Sequence, residues 1–434
     1  MGQQPRTLDP HASPLAYFGA ELRAWRGRRG LSQAQLGQLV HVSGDLLGKV
    51  EKAQRRPLPD LIRRLDTALG ADGQLARVAE SLNGSSLVPE GRGRPARHAA
   101  RRGEDGRTRG SEARVMAAAQ AWLAEASVHR VDDVALSSEP SDPAVALLKD
   151  RVRQLRRMDD TRGGPTVLDW TLHELRWAQE LNRRGGGSDP RLLGVVGELA
   201  QLGGWLSCDS GDHTRAENLW LLALGASRTG GDPRLGATVL SCLSYQALWT
   251  DRPRQALDLI EVARRGSRGL PGGALQALLA TREARVQARL GRRSRCESAL
   301  EDARVAFASR DQDRDPDWVY WVSSAVLAAD AGRAHLELGL ARDAAADLSA
   351  GLELFGTSQP RNRALHLTSL AQAQLMAGEV ERAAMTTDAA LALATATESR
   401  RITERLRSLL GSFAAVPAPV ARETADRVRA VLAA

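Results

Sequence analysis

The sequence has few of the residues that define several common classes of protein. Only three cysteines occur, none in a Cys-x-x-Cys pair, which excludes a disulfide framework and a cysteine zinc site. This cysteine usage predicts that the protein is located in a reducing cytoplasm. Aromatic residues make up only 4% of the 434 residues, and β-branched runs are scarce beside Ala, Leu and Arg. Uncharged apolar stretches such as Trp318–Ala329 are too short to cross a bilayer. The composition therefore predicts an all-α protein without a membrane span.

Catalytic and metal-binding patterns are missing as well. The eight histidines have no metal-ligand spacing, and His173-Glu174 lacks the second histidine of a His-Glu-x-x-His zinc site. Neither a P-loop nor a Gly-x-Ser-x-Gly motif occurs. We therefore expect no enzymatic activity, no cofactor and no metal.

Acidic residues are scarce only in the first quarter of the chain. Residues 1–110 contain 19 Lys and Arg against 11 Asp and Glu, a net charge of +8, whereas residues 111–434 contain 41 of each. All of the excess positive charge therefore lies in residues 1–110, which predicts that this part of the chain binds a polyanion.

The positions of Pro-rich and Gly-rich stretches predict four segments. Residues 1–14 form a flexible tail, and residues 15–82 are helical. Residues 83–111, rich in Gly, Arg and Ser, are predicted to be a basic flexible linker. Within this linker, Gly91–Pro95 matches the core of an AT-hook; the alternatives are a nonspecific basic arm and an inert tether. Residues 112–434 form a long helical array.

Short helices separated by tight turns are predicted in the first helical segment. Ser32 begins a second helix, with Gln35 in the position of a capping box, and Ser43 begins a third helix. The turn between these two helices has the helix-turn-helix length. A fourth helix ends at Gly70, and a fifth is predicted over Asp72–Leu82.

The string GLSQAQLGQLVHVSGDLLGKVEKAQRRP resembles the Xre/Cro-type helix-turn-helix family. The resemblance implies that Gln33 holds a phosphate and that Ser43–Lys52 is a recognition helix in the major groove. It also implies a partly buried ion pair between Arg26 and Glu51. The alternative for this segment is a helical bundle that serves protein contact.

Side chains of the recognition helix are the predicted means of reading DNA. Lys49 can donate to guanine, Asp45 can accept from cytosine, and Lys52 follows the phosphate backbone. The outward positions are predicted to be Gly44, Asp45, Leu46, Gly48, Lys49 and Lys52. The complete predicted DNA-binding set is Ser32, Gln33, Ser43, Gly44, Asp45, Leu46, Lys49, Lys52, Arg55 and Arg56.

The second half of the chain contains an internal repeat with steps of 40, 40, 48 and 39 residues. Small residues recur at three positions of each repeat, which are Gly204, Ala216 and Ala223; Ser244, Ala256 and Ala263; Ala284, Cys296 and Ala303; Gly332, Ala344 and Gly351; and Ala371, Ala383 and Ala390. A turn residue separates the two helices of each repeat, at Gly211, Asp251, Gly291, Gly339 and Gly378. This spacing resembles the tetratricopeptide (TPR) family and implies a right-handed α-solenoid. A generic helical solenoid is the alternative.

A ligand groove is predicted on the first helices of the repeats. Its residues are Gln201, Trp205, Tyr245, Arg285, Arg333 and Gln372. An extended peptide would stack on Trp205 and Tyr245, with a carboxylate on Arg285 or Arg333. The alternative is that both arginines are solvated and the aromatic rings fill the space between repeats.

Together these features predict a sequence-specific DNA-binding transcriptional regulator that resembles actinobacterial proteins of this two-part design. Its predicted partners are double-stranded DNA, a peptide or protein in the repeat groove, and a second copy of the chain as a homodimer. It would be cytoplasmic and associated with the nucleoid when bound to DNA. Two alternatives remain: a phage- or antitoxin-type repressor whose repeats only dimerise, and an interaction adaptor that does not bind DNA.

Overall fold

Two units, Met1–Arg97 and His98–Ala434, divide the chain. The computed structural model describes residues 14–71, 75, 97–126, 142–161, 164–356, 359–395 and 399–433. All regular secondary structure in these residues is helical, as the composition predicts. None of the described helices is long and apolar enough to cross a membrane.

Hydrogen-bonding serine caps mark where two of the helices of the N-terminal unit begin. These helices are α1 (Pro14–Arg28), α2 (Gln33–Leu39), α3 (Gly44–Glu51) and α4 (Pro59–Leu69). The hydroxyl of Ser32 accepts from the backbone N–H of Gln35 at 3.2 Å, and the Gln35 side chain accepts from the backbone N–H of Ser32 at 2.8 Å. Ser43 caps α3 in the same way, and Gly70 ends α4 with a φ of +60°. The predicted helix starts and the predicted stop are confirmed.

Apolar side chains from α1 to α4 form a core within the N-terminal unit. Its fully or almost fully buried members are Phe18, Leu22, Leu36, Val40, Leu47, Val50, Leu61, Ile62, Leu65, Leu69, Ala71 and Leu75. The tail over residues 1–13, most of the predicted fifth helix and the AT-hook match lie outside the described residues.

The second unit is a series of helices with its own core. They are α5 (Arg97–Ala126), α6 (Pro143–Thr161), α7 (Gly164–Arg184), α8 (Pro190–Asp209), α9 (His213–Thr229), α10 (Pro233–Trp249), α11 (Pro253–Gly266), α12 (Gly273–Arg289), α13 (Arg293–Ala308), α14 (Ser324–Glu337), α15 (Ala341–Phe355), α16 (Pro360–Met376), α17 (Val380–Ala394), α18 (Arg400–Ala414) and α19 (Pro419–Ala433). The linker prediction needs a correction, because α5 includes its last fifteen residues, 97–111. Arg, Ala and Glu favour helix there, and no proline follows Pro95 to interrupt it.

Helical hairpins form the repeat that the spacing predicts, from α8–α9 to α16–α17. The five predicted turn residues all have left-handed backbone conformations, with φ of +85° at Gly211, +59° at Asp251, +70° at Gly291, +75° at Gly339 and +79° at Gly378. At the crossing points the helices approach closely: a Cβ on Gly332 would lie 2.7 Å from Cγ of Leu348. The long third step is explained by two 3₁₀ turns, Gln312–Arg314 and Asp317–Val319. A sixth hairpin, α18–α19, follows.

The first helices of the hairpins contact one another in order, from α8 through α10, α12, α14 and α16 to α18. The preceding helix α6 contacts α8, and α16 returns to contact α6. We call this closed arrangement of α6, α8, α10, α12, α14 and α16 the inner ring. The first helices therefore enclose the interior of this ring and do not line an open groove.

Candidate nucleic-acid interface and candidate ligand cavity

The exposed face of α3 is the candidate nucleic-acid interface. Asp45, Lys49 and Lys52 are exposed on it, whereas Leu46 is half-buried against the core. Nζ of Lys49 lies 2.8 Å from Oδ2 of Asp45, one helical turn away. This hydrogen bond, with the charge of Lys49, lowers the pKa of the Asp45 carboxyl. This face therefore carries Lys49, which is paired with the Asp45 carboxylate, and a second lysine, Lys52.

Two glycines of α3 face α2, Gly48 buried and Gly44 half-buried, so the prediction that Gly44 and Gly48 point outward is wrong. A Cβ on Gly44 would lie 3.1 Å from both Cα and N of Ala34, and one on Gly48 would lie 3.1 Å from Oε1 of Gln33. Glycine at these positions lets α2 and α3 approach closely, which a larger residue would prevent.

Glu51, buried at the end of α3, joins three elements of the N-terminal unit. Its two carboxylate oxygens accept from Nε and Nη2 of Arg26 on α1 at 2.6 and 3.0 Å. The side-chain N–H of Gln33 on α2 donates to the same carboxylate at 2.7 Å. The predicted Arg26–Glu51 pair is confirmed, and the hydrogen bond to Glu51 raises the pKa of Arg26. The amide of Gln33 is thereby turned towards Glu51.

The remaining predicted DNA-binding residues flank α2 and α3. Ser32 and Ser43 are exposed and serve as helix caps. The chain leaves α3 through Ala53, whose φ of +56° turns it away from the helix axis. Arg55 and Arg56 follow this turn and are exposed. Exposed basic residues are thus present both on α3 and just beyond its C-terminal end.

The candidate ligand cavity lies inside the inner ring and has a volume of about 110 Å³. Four of the six predicted groove residues line it: Gln201, Trp205, Tyr245 and Arg333. Arg285 does not line it but lies next to it, with Nη1 3.9 Å from Oδ1 of Asp330. Gln372 is elsewhere, accepting from the hydroxyl of Ser412 at 2.9 Å.

The alternative of solvated arginines is wrong for both groove arginines. Arg285 and Arg333 are only 7% and 8% exposed. Both surround the buried carboxylate of Asp330, together with Arg282, whose Nη1 lies 3.4 Å from Oδ2. Nη1 of Arg333 lies 3.4 Å from Oδ1 of Asp330. Three guanidinium groups therefore share one carboxylate.

A second buried network closes the ring where α6 and α8 meet α16 and α18. Arg361 donates to both oxygens of Asp159, with distances of 2.5 and 2.9 Å, and to Asp209 at 3.4 Å. Nε of Arg401 donates to the Asp209 carboxylate, and its Nη1 donates to the Tyr245 hydroxyl at 3.3 Å. These contacts join residues 152 to 202 positions apart in the sequence.

Positive charge dominates the interior of the ring. Burial would raise the pKa of Tyr245, but the nearby charges of Arg401, Arg333 and Arg405 lower it to about 8. Burial and the charge of Arg333 lower the pKa of Arg405 to about 9. Burial and the charge of Arg285 lower the pKa of Arg333 as well. Despite burial, the pKa of Arg361 and of Arg401 is raised instead, because Asp159 and Asp209 pair with them. Where the pKa of an arginine is lowered, as at Arg333 and Arg405, a negatively charged group nearby would stabilise the charged form.

Repeat spacing alone missed several cavity residues, because α6 and α18 lie outside the repeats that it identifies. These helices supply Arg156, Asp159 and Arg401. One signal was available in α12 and α14. Charged residues three positions apart share one helix face there, Arg282 with Arg285 and Asp330 with Arg333, among residues that are largely buried.

Comparison with known proteins identifies the N-terminal unit. Residues 18–79 match the family described as a helix-turn-helix domain. The crystal structure of BtubC (BKLC) from P. vanneervenii is similar over 53% of this chain and 91% of that chain, with 21% sequence identity and a TM-score of 0.39. No curated protein matches the chain. The chain thus contains a helix-turn-helix domain, followed by a unit of helical repeats.

Proposed function

We propose that the protein is a transcriptional regulator that binds double-stranded DNA sequence-specifically through α3. The observation that carries this proposal is the exposed face of α3, with Asp45, Lys49 and Lys52, on a domain that matches the helix-turn-helix family. The Xre-type character rests on the sequence resemblance and on the Arg26–Glu51 pair that it implies.

In the proposed complex α3 enters the major groove. Lys49 leaves its pairing with Asp45 and donates to the O6 and N7 atoms of a guanine, while Asp45 accepts from a cytosine N4. Lys52, Arg55 and Arg56 contact phosphates at the edge of the groove. Phosphate contacts give affinity that depends on salt, and base contacts give the sequence preference.

Binding of the full chain to a randomised double-stranded DNA library, with selection of the bound sequences, tests this function. Lys49→Ala should relax the preference at one base position, costing about 1–3 kcal/mol there. Lys52→Ala should weaken binding to all sequences alike and reduce the slope of log affinity against log salt by about 1. Arg63→Ala on α4, an exposed arginine 3.4 Å from Asp60, is the matched control and should change the base preference at no position.

The outcome at low salt separates the proposal from its alternatives. If the full chain binds no DNA there, the proposal is wrong, and the interaction adaptor becomes the better explanation. If Lys49→Ala and Lys52→Ala both weaken binding uniformly, α3 supplies charge but does not read bases.

The repeat unit is proposed to regulate the DNA-binding unit through a ligand or partner, through dimerisation, or both. Its hairpin spacing is TPR-like, and polar and aromatic residues of the first helices, including Trp205 and Tyr245, line its cavity. Two DNA-binding units on half-sites one helical turn apart, about 34–36 Å, would give the affinity that one short recognition helix lacks. Light scattering on the free chain and on the DNA complex tests the dimer; a monomer in both measurements contradicts it.

A further inference from the structure

The cavity inside the inner ring has aromatic walls and a strongly basic lining. Trp205 and Tyr245 have ring centroids 5.4 Å apart, and Trp321 also lines the cavity. The guanidinium carbon of Arg401 lies 4.6 Å from the Trp205 ring centre, and that of Arg282 lies 5.0 Å from the Tyr245 ring centre. The cavity therefore combines flat apolar surfaces with planar hydrogen-bond donors.

Buried donors that line the cavity lack acceptors among the described residues. These donors are Nε of Arg282, Nε of Arg333, Nε of Arg361 and Nη2 of Arg401. The four residues are 4–8% exposed. Leaving a donor on a buried charged group without an acceptor costs free energy. The arrangement is thus incomplete in one specific respect: it has more donors and more positive charge than its own carboxylates satisfy.

We propose that this cavity is a binding site for a small organic anion, with a carboxylate or phosphate group held by Arg282, Arg333 and Arg401 and a flat apolar part held against Trp205 and Tyr245. Guanidinium groups match both oxyanions by paired N–H donors, and a buried anion would balance the arginines around Asp330. This site rests on the proposed function, since it gives a ligand class to the unit proposed to regulate DNA binding.

The size of the cavity favours a small molecule over the extended peptide that the sequence suggests. Its volume of about 110 Å³ has room for several waters or one small ring with a substituent. A peptide of several residues would need an open groove, and the contacts of Asp209 with Arg361 and Arg401 close the ring.

A second, larger cavity lies next to the inner one. The outer cavity, of about 600 Å³, shares Arg156 and Tyr320 with the inner one. The Tyr320 hydroxyl donates to Oδ2 of Asp160 at 2.5 Å. Tyr320 thus lies at the boundary of the two cavities, and it is half exposed at the surface.

Isothermal titration of the full chain with benzoate and with phenyl phosphate tests the site, with benzamide as the uncharged analogue and inorganic phosphate as the anion without a ring. We expect at least one of the two aromatic anions to bind, and to bind at least tenfold more tightly than benzamide and inorganic phosphate. Which of them binds distinguishes a carboxylate ligand from a phosphate ligand. Failure of both aromatic anions to bind at millimolar concentration overturns the proposal, as does equally tight binding of benzamide.

Arg333→Met separates a ligand-binding arginine from a merely structural one. If the arginine serves the anion, the variant should unfold at the same or a higher temperature without ligand, because it removes one of three cations around a single carboxylate. It should also bind the aromatic anion at least tenfold more weakly. Arg293→Met, an exposed arginine of α13, is the control and should bind as the unmodified chain does.

A lower unfolding temperature of Arg333→Met together with unchanged anion binding overturns the proposal. Should the variant fail to fold, Arg282→Met gives the same test on the neighbouring helix, and the titration of the unmodified chain decides by itself. Neither the titration with anions nor the unfolding experiment contains DNA. A chain that binds the anion but no DNA contradicts only the proposed function, and the reverse result contradicts only the anion site.

Discussion

The buried carboxylate of Glu51 should be essential for the stability of the N-terminal unit. Glu51→Gln keeps the shape of the side chain, but it replaces one acceptor oxygen by an amide donor facing Arg26 and Gln33. Breaking a buried ion pair from one side costs about 3–5 kcal/mol, and the lower end applies because Arg26 is 17% exposed. For a unit of this size, about 3 kcal/mol lowers the melting temperature by about 12–24 °C.

Urea unfolding of residues 1–97 measures this loss, since Trp25 is the single tryptophan of that fragment and reports the transition alone. Asp60→Asn, which removes the two surface ion pairs of α4 with Arg63 and Arg64, is the control and should cost about 0–1 kcal/mol. Replacing both partners, as Arg26→Met with Glu51→Leu, should recover at least half of the loss. A loss below about 1 kcal/mol for Glu51→Gln, or a double variant as unstable as the sum of the single changes, would refute the reasoning.

Three further predictions follow from single contacts. Asp45→Ala removes a negative charge from the side of α3 that is proposed to face DNA and releases its lysine partner, so affinity for DNA of unrelated sequence in anisotropy titrations should rise roughly 2- to 10-fold at low salt and less at high salt, while the preference for the cytosine that Asp45 is proposed to contact should be lost. Gly332→Ala places a Cβ 2.7 Å from a neighbouring leucine and should cost about 1–3 kcal/mol in thermal unfolding, whereas Gly411→Ala, with open space around it, should gain about 0.5–1 kcal/mol; a reversed order contradicts the crossing geometry. Protonated His335 donates from Nδ1 to Oδ2 of Asp347, which raises the pKa of His335, so the stabilising effect of this pair is complete below pH 6.5 and is lost as the pH rises through the raised pKa; His335→Gln should therefore cost most stability in acid, and a loss independent of pH contradicts this.

The sequence predicted the parts of the fold that depend on local rules. The caps at Ser32 and Ser43 and the left-handed turn residues could be read directly, because each follows from the backbone needs of one short segment. The periodic small residues predicted the hairpins, since helices cross closely only where side chains are small. The prediction failed for Gly48, where an apparently outward position of α3 is covered by α2.

The cavity could be predicted only in part, because it depends on how far the repeats curve. Trp205 and Tyr245 were found from their register on the first helices. Asp159 and Arg401 come from helices far apart in the sequence, and nothing local to either residue indicates that they enter the same enclosure. Their approach results from the accumulated rotation between hairpins, which the spacing of the repeats does not encode.

Closure of the inner ring has a consequence for how the repeat unit folds. In an open array each repeat touches only its neighbours, so unfolding can proceed from the ends and stability is nearly a sum over repeats. Here Arg361 joins α16 to Asp159 of α6, 202 positions earlier in the chain. Such distant contacts should make the unit unfold in one cooperative step and fold slowly for a helical protein, because they form only after nearly all of the chain is in position. Loss of the last hairpins would then weaken the first helices too.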